Sequence, residues 1–292
     1  MFDRSGQRFT TSTENVAAKK DFNRVEIEGH PPDVFEKAFA ASEAEIAPAL
    51  SRIIETESLQ DVEDRKYLFN LIAMMSVHQP LLREQIREYH ERASKMMLEL
   101  ALKTPERWAS QVKKARAAGY MTDPSANDYE AMKDFLKRGE YKFELRNEYQ
   151  IKLALKGMES VLPLLFERKW HLLKARKATG GFITSDHPVC LLWMDQKLAD
   201  GPYGPGFGLK STAVVFPISN RLAVTGAFEF QEEIREIDAH EIARMNGHII
   251  NCAGRQVYSR DFNFTCNLQA NDRQASKLAS DPLFRQSRRA EY

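Results

Sequence analysis

This chain has few cysteines, no long apolar run and almost no net charge, and each of these features excludes a class of protein. Its three cysteines (Cys190, Cys252 and Cys266) are odd in number and do not have the spacing of a disulfide framework. We therefore expect reduced thiols in a cytoplasmic protein. No uninterrupted apolar run approaches the roughly 20 residues that a membrane helix needs, and residues 1–6 lack the apolar stretch of a signal peptide. The sequence predicts no membrane association.

The charge balance argues against an extended phosphate-binding surface. The chain carries 42 Lys and Arg residues against 41 Asp and Glu residues, which gives a formal net charge of +1. Dedicated nucleic-acid-binding domains are usually much more basic. A local basic groove is still compatible with this balance, so nucleic acid is a partner that the net charge allows but does not indicate.

Complete catalytic signatures are also missing from the sequence. It contains neither the G-x-S-x-G of a nucleophile elbow nor the G-x-x-x-x-G-K-[ST] of a phosphate-binding loop. The C-x-x-C and H-E-x-x-H patterns that hold zinc are absent as well.

The hydrophobic pattern changes its period once along the chain. Apolar residues recur at helical spacing between about residues 30 and 168, then alternate or form continuous runs between about 169 and 260. Helices that precede strands, rather than alternating with them, predict an α+β fold, with a helical N-terminal half packed on a mainly antiparallel sheet in the C-terminal half. We expect a single domain over residues 1–292, with a polar and partly disordered tail at 270–292.

The most informative segment is residues 182–189, in which an apolar strand ends in a polar corner and a second apolar run follows. Asp186 would lie at the lip of a sheet, where a carboxylate can bind a divalent cation or act as a general base. Ser185 beside it is a second catalytic candidate. The alternative is structural, because Thr184, Ser185 and Asp186 can hydrogen-bond the backbone of a turn before Pro188.

Further acids lie in the helical half. Glu36 and Glu43 are seven residues apart, which places them on one helix face, and Asp64-Arg65 could meet them across a helix pair. Glu36, Glu43 and Asp186 together would supply the oxygen ligands that Mg²⁺ or Mn²⁺ prefers. A structural Glu–Arg network is the alternative interpretation of the helical acids.

Several motifs, in this order and spacing, resemble the bacterial family of domains of unknown function numbered 4238. They are the helix at 34–50 with Glu36 and Glu43, Asp64-Arg65, the segment 184–189, the segment 216–219, Asn246 and the segment 255–259. The likeness covers roughly residues 3–259. The family has no established function to carry over, so the resemblance implies a fold rather than a mechanism.

Two departures from the family pattern stand out. The usual His-Tyr-x-Pro segment before the position of Asp3 is missing, which a mis-assigned start or a shortened protein would explain. His78-Gln79-Pro80 replaces the usual Arg-Thr-Pro after the second helix.

Two functional hypotheses follow. The first is a divalent-metal-dependent hydrolase, with nucleic acid as one candidate substrate, in which Asp186 is the metal ligand or base and Asn246 is an orienting amide. Glu36 and Glu43 would complete its Mg²⁺ or Mn²⁺ site. The second is a non-catalytic module that binds a ligand or a protein partner through its helical layer.

Overall fold

The computed structural model describes most of the chain. The described residues are 1–13, 16, 22–26, 29–121, 128–139, 141–176, 180–268 and 271–285, with only the backbone at 271–273.

Helices occupy most of the N-terminal half, and mixed sheets occupy the C-terminal half, which confirms the predicted α+β class. The helices are α1 (Val34–Thr56), α2 (Val62–Val77), α3 (Pro80–Ala101), α4 (Pro105–Ala117), α5 (Tyr129–Arg138), α6 (Asn147–Glu167), α7 (Gln196–Ala199), α8 (Ala239–Cys252), α9 (Ala275–Leu278) and α10 (Pro282–Arg285). The strands are β1 (Phe2–Asp3), β2 (Lys169–Ala175), β3 (Thr184–Ser185), β4 (Cys190–Trp193), β5 (Thr212–Pro217), β6 (Leu222–Ala227), β7 (Glu233–Ile237), β8 (Gln256–Tyr258), β9 (Thr265–Leu268) and β10 (Asn271–Gln274).

None of the helices in the described ranges has the length and apolarity that a membrane crossing requires. The cytoplasmic location stays a prediction.

Contacts within the chain divide it into two compact units. Unit 1 comprises Met1–Gln79 and Ile151–Tyr292, and unit 2 comprises Pro80–Gln150. The single domain predicted from the sequence stays a prediction, because compact units of this kind occur both within one domain and as separate domains.

A five-stranded sheet forms the centre of unit 1, with the strand order β4-β5-β6-β2-β7. The pairs β4–β5, β5–β6 and β6–β2 are antiparallel, whereas β7 lies parallel to β2. Leu172 of β2 is therefore aligned with Val224 on one side and with Ile234 on the other. The sheet is therefore mixed: its pairs are antiparallel except at one edge, where β7 adds a parallel strand.

One core of unit 1 joins helices to this sheet. Ile53 of α1, Leu68 of α2 and Leu165 of α6 are buried against Leu172 and Val224. Removal of these apolar side chains from water is the main force that holds the helices on the sheet.

A second core of unit 1 contains α8 and the smaller sheets, which have the orders β1-β8-β3 and β10-β9. Phe2, Ile250 and Val257 are buried there together with Leu278 and Phe284. Residues 271–285 of the predicted tail form β10, α9 and α10, and Ala275, Leu278 and Phe284 of the two helices enter this core. Residues 286–292 of that tail lie outside the described part of the chain.

Unit 2 is helical and has a core of its own. Leu102, Trp108 and Val112 are buried between α3, α4 and α5. Thr104 is the N-cap of α4, and its hydroxyl accepts a hydrogen bond from the backbone N–H of Arg107 at 3.3 Å. The Tyr129 hydroxyl donates to the carbonyl of Leu102 at 3.0 Å and links α5 to the end of α3.

Candidate functional site

The predicted corner lies between β3 and β4, and its side chains bond to the backbone. Ser185 is buried, and its hydroxyl accepts the backbone N–H of His187 at 3.1 Å. The N–H of Asp186 donates to the carbonyl of Gln256 at 3.1 Å, which extends the pairing of β3 with β8 by one residue. This is the turn-forming arrangement that the structural alternative predicts.

The Asp186 carboxylate joins this corner to the chain between α8 and β8. Its Oδ1 accepts the N–H of Gly254 at 2.9 Å, and its Oδ2 accepts the N–H of Arg255 at 2.7 Å. A Cβ atom at Gly254 would lie 3.3 Å from Oδ2, so glycine lets the carboxylate approach the backbone closely. Hydrogen bonds to an ionised acceptor are stronger than neutral ones, and Asp186 makes two of them to one turn.

His187, next to Asp186, is partly buried. Burial lowers the pKa of its imidazole, and the Asp186 carboxylate opposes this shift. Its Nδ1 atom has no hydrogen-bond partner in the part of the chain that the structure describes. Burial therefore favours the neutral form of this imidazole over the charged form.

Asn246 is fully buried in α8 and satisfies three backbone groups. Its Oδ1 accepts the N–H of Ile183 at 3.1 Å, and its Nδ2 donates to the carbonyls of Gly181 at 3.0 Å and Thr265 at 2.8 Å. The side chain thus ties α8 to β9 and to the segment that enters β3. Both N–H groups of the amide and one of the two lone pairs on its oxygen are therefore used in hydrogen bonds within the fold.

Arg4 also binds helix α8, although no sequence pattern points to it. Its guanidinium donates to the carbonyls of Ile250 at 3.0 Å and Ala253 at 2.8 Å, near the C-terminal end of α8, and to that of Phe284 at 2.6 Å. A cation suits this end of a helix, where carbonyls lack intrahelical partners. No sequence signal marked Arg4, because its partners lie about 250 residues away.

The two glutamates of the predicted metal site are on the exposed surface of α1. Asp64, expected near them, instead accepts hydrogen bonds from Nε of Arg52 at 3.0 and 3.2 Å, and Arg65 pairs with Glu232 at 2.9 Å. Within the described ranges no three His, Cys, Asp or Glu side chains lie close enough together to hold a metal ion. Glu36, Glu43 and Asp186 therefore do not form one cluster.

A different feature of the helical layer was missed, an exposed apolar stripe on α3 in unit 2. The α3 stripe consists of Tyr89, Ala93, Met96, Met97 and Leu100. Tyr89 is 69% exposed, Met96 58%, Met97 66% and Leu100 51%. With 3.6 residues per turn, all five positions lie on one face.

The opposite face of α3 packs in the core of unit 2. Leu98 follows Tyr89 by two and a half turns and contacts the cluster of Leu102, Trp108 and Val112. The four-three-four spacing of Tyr89, Ala93, Met96 and Leu100 indicates an apolar helix face in the sequence, but not whether that face is buried or exposed.

Taken together, the fold and these contacts define an α+β protein in which the motif residues bind a small sheet to helix α8. A family model described as protein of unknown function (DUF4238) matches residues 1–263, so the chain belongs to this family. Comparisons with curated proteins and with solved structures gave no match.

Proposed function

We propose that this chain is a non-catalytic protein-binding module and that the α3 stripe is its binding face. The observation that carries the proposal is the exposure of four large apolar side chains on a single helix face. Single exposed apolar residues are ordinary, whereas a contiguous apolar patch usually marks a place where something binds.

The spacing of the stripe indicates the kind of partner. Apolar residues that alternate three and four positions apart form a seam that packs knobs-into-holes against another helix. We therefore infer that the partner presents an amphipathic helix with a seam of its own.

The contacts of the candidate catalytic residues support a non-catalytic role. Ser185, Asp186 and Asn246 each bond to backbone groups of the same unit. These bonds alone account for the presence of the three polar side chains at this place in the fold.

Site-directed photo-crosslinking tests the proposal. A photo-reactive amino acid is placed at Met97 on the stripe, or at Lys95, an exposed position on another face of the same helix. In cells that produce the chain, we expect a protein adduct from position 97, no adduct from position 95, and loss of the adduct when Met96→Glu is added. Equal labelling from both positions, or none from either, contradicts the proposal.

A divalent-metal-dependent hydrolase stays the alternative prediction. Each oxygen of Asp186 accepts one hydrogen bond and keeps a lone pair that a cation could use. Thermal melts with EDTA and with Mg²⁺ or Mn²⁺ separate the two functions. A metal that raises the melting temperature of the wild type, but not of Asp186→Ala, would favour the hydrolase.

A further inference from the structure

We propose that the partner of the α3 stripe is a second copy of this chain, bound in the antiparallel direction. The inference rests on the proposed function, since it names the partner of the same face. It follows from the order of large and small side chains along the stripe and from the charges beside it.

The side chains of the stripe match in size only when the two helices run in opposite directions. A two-fold axis between Ser94 and Lys95 places Tyr89 against Leu100 of the second copy, and Ala93 against its Met96. Each small residue then faces a large one. A parallel pair would instead place Tyr89 against Tyr89 and Ala93 against Ala93. The two tyrosines would be crowded, and the two alanines would leave a gap.

The charges beside the stripe favour the same arrangement. Arg92 and Glu99 lie on the same flank of the stripe, three and ten residues after Tyr89. In this antiparallel pair, Arg92 of one copy and Glu99 of the other lie about two residues apart along the direction of the helices. One symmetric contact therefore contains this ion pair twice, as an isologous interface requires.

Both charged side chains are available for this contact. The side chain of Arg92 is 70% exposed, and its ion pair with Glu88 is long, at 3.3 Å. Glu99 is also exposed. Exposed pairs between residues four apart on a helix are weak, so Arg92 can change its partner at little cost.

Sedimentation equilibrium over a range of concentrations measures the association. For a chain of 33.5 kDa, we expect the average mass to rise toward twice that value. Met96→Glu should keep the mass of one chain at all concentrations, with an unchanged circular dichroism spectrum because the side chain is exposed. A wild-type mass that never exceeds one chain overturns the inference.

Charge reversal tests the antiparallel register. Arg92→Glu alone brings two carboxylates together across the interface, and Glu99→Arg alone brings two guanidinium groups together, so each should weaken the dimer roughly tenfold. An equimolar mixture of the two variants should recover the wild-type affinity, because the introduced carboxylate of one chain then faces the introduced guanidinium of the other. Lys113→Glu, a charge reversal at an exposed position of α4, serves as the matched control and should dimerise normally.

Each other outcome has a distinct meaning. If the mixed variants dimerise no better than either alone, the antiparallel register is wrong. If the wild type is monomeric but position 97 still forms an adduct with a different protein, the inference of a second copy fails and the proposed function stands. If the wild type is monomeric and position 97 forms no adduct, both fail.

Discussion

Asp186 lies where the chain leaves β3, and its carboxylate accepts two backbone N–H groups from a turn almost seventy residues further on. Truncation at this position would leave both N–H groups without their acceptor in a half-buried site. Hydrogen bonds to charged groups each contribute about 1.5–3 kcal/mol.

We therefore expect Asp186→Ala to lower the free energy of unfolding by about 2–4 kcal/mol in urea titrations. The control is Asp195→Ala, which removes an exposed carboxylate that accepts the N–H of Lys197 at 2.9 Å. This exposed cap should contribute no more than about 1 kcal/mol. Similar losses in both variants would show that Asp186 does not lock the turn.

His187 gives the fold a pH dependence with a defined sign. Burial lowers its pKa from the ordinary value of 6.5, so the unfolded chain binds a proton at a higher pH than the folded chain does. Its contribution to stability is complete above the unfolded pKa and decreases as the pH falls through 6.5 toward the folded value.

We expect His187→Gln to flatten the decrease in unfolding free energy between about pH 8 and about pH 5. Part of the decrease should persist, because burial also lowers the pKa of His248 and of His171. Denaturant titrations of both proteins across this range provide the measurement. A variant with the same pH profile as the wild type would contradict the assignment to His187.

At the scale of single residues, the sequence could predict the corner but not what it contacts. The segment from Thr184 to Pro188 has the composition of a turn, and the chain bends there at residues 186–187. Nothing local to Asp186 indicates that its partners are Gly254 and Arg255. The same holds for Asn246, which bonds to both Ile183 and Thr265. Contacts of this kind are set by tertiary packing.

At the scale of elements, helix α8 and strand β9 approach each other with no room for a side chain. A Cβ atom at Gly247 of α8 would overlap the carbonyl oxygen of Asn267. Glycine weakens a helix by roughly 1 kcal/mol relative to alanine, so its presence here has a packing reason.

We expect Gly247→Ala to destabilise the protein by about 2–3 kcal/mol, because the forced displacement of α8 exceeds the gain in helix propensity. Gly157→Ala in α6 is the matched control, since its Cβ would meet only the side chain of Val77, with Cγ1 at 3.2 Å. That substitution should change stability by no more than about 1 kcal/mol. Thermal or urea unfolding compares them, and a neutral Gly247→Ala would show that α8 can move away from β9.

Elements with strong local patterns were predictable, and those without them were not. The helix at 239–252 begins with Asp238 and Glu241, which form a capping box. Strand β7 has the sequence Glu-Ile-Arg-Glu-Ile. Its charged residues gave no apolar pattern from which a strand could be predicted. Its pairing with β2 is parallel and therefore depends on a crossover that no local signal encodes.

At the scale of the whole molecule, the order of helices and strands sufficed to predict the fold class. The division into two compact units was not apparent, because α6 runs without interruption from one unit into the other. The α3 stripe was not apparent either. Apolar residues at helical spacing predict a buried face, and only the structure distinguishes the face that packs in the core of unit 2 from the face that stays exposed.

A stripe that binds a second copy should make thermal stability depend on protein concentration. Each tenfold increase in concentration stabilises a dimer by about 1.4 kcal/mol relative to its unfolded chains. We expect the melting temperature of the wild type to rise by roughly 1 to 3 °C per tenfold increase, and that of Met96→Glu to stay constant. Scanning calorimetry at several concentrations provides the measurement. A melting temperature of the wild type that does not change with concentration would mean that the folded chain melts as a monomer, and the α3 stripe would then need a partner other than this chain.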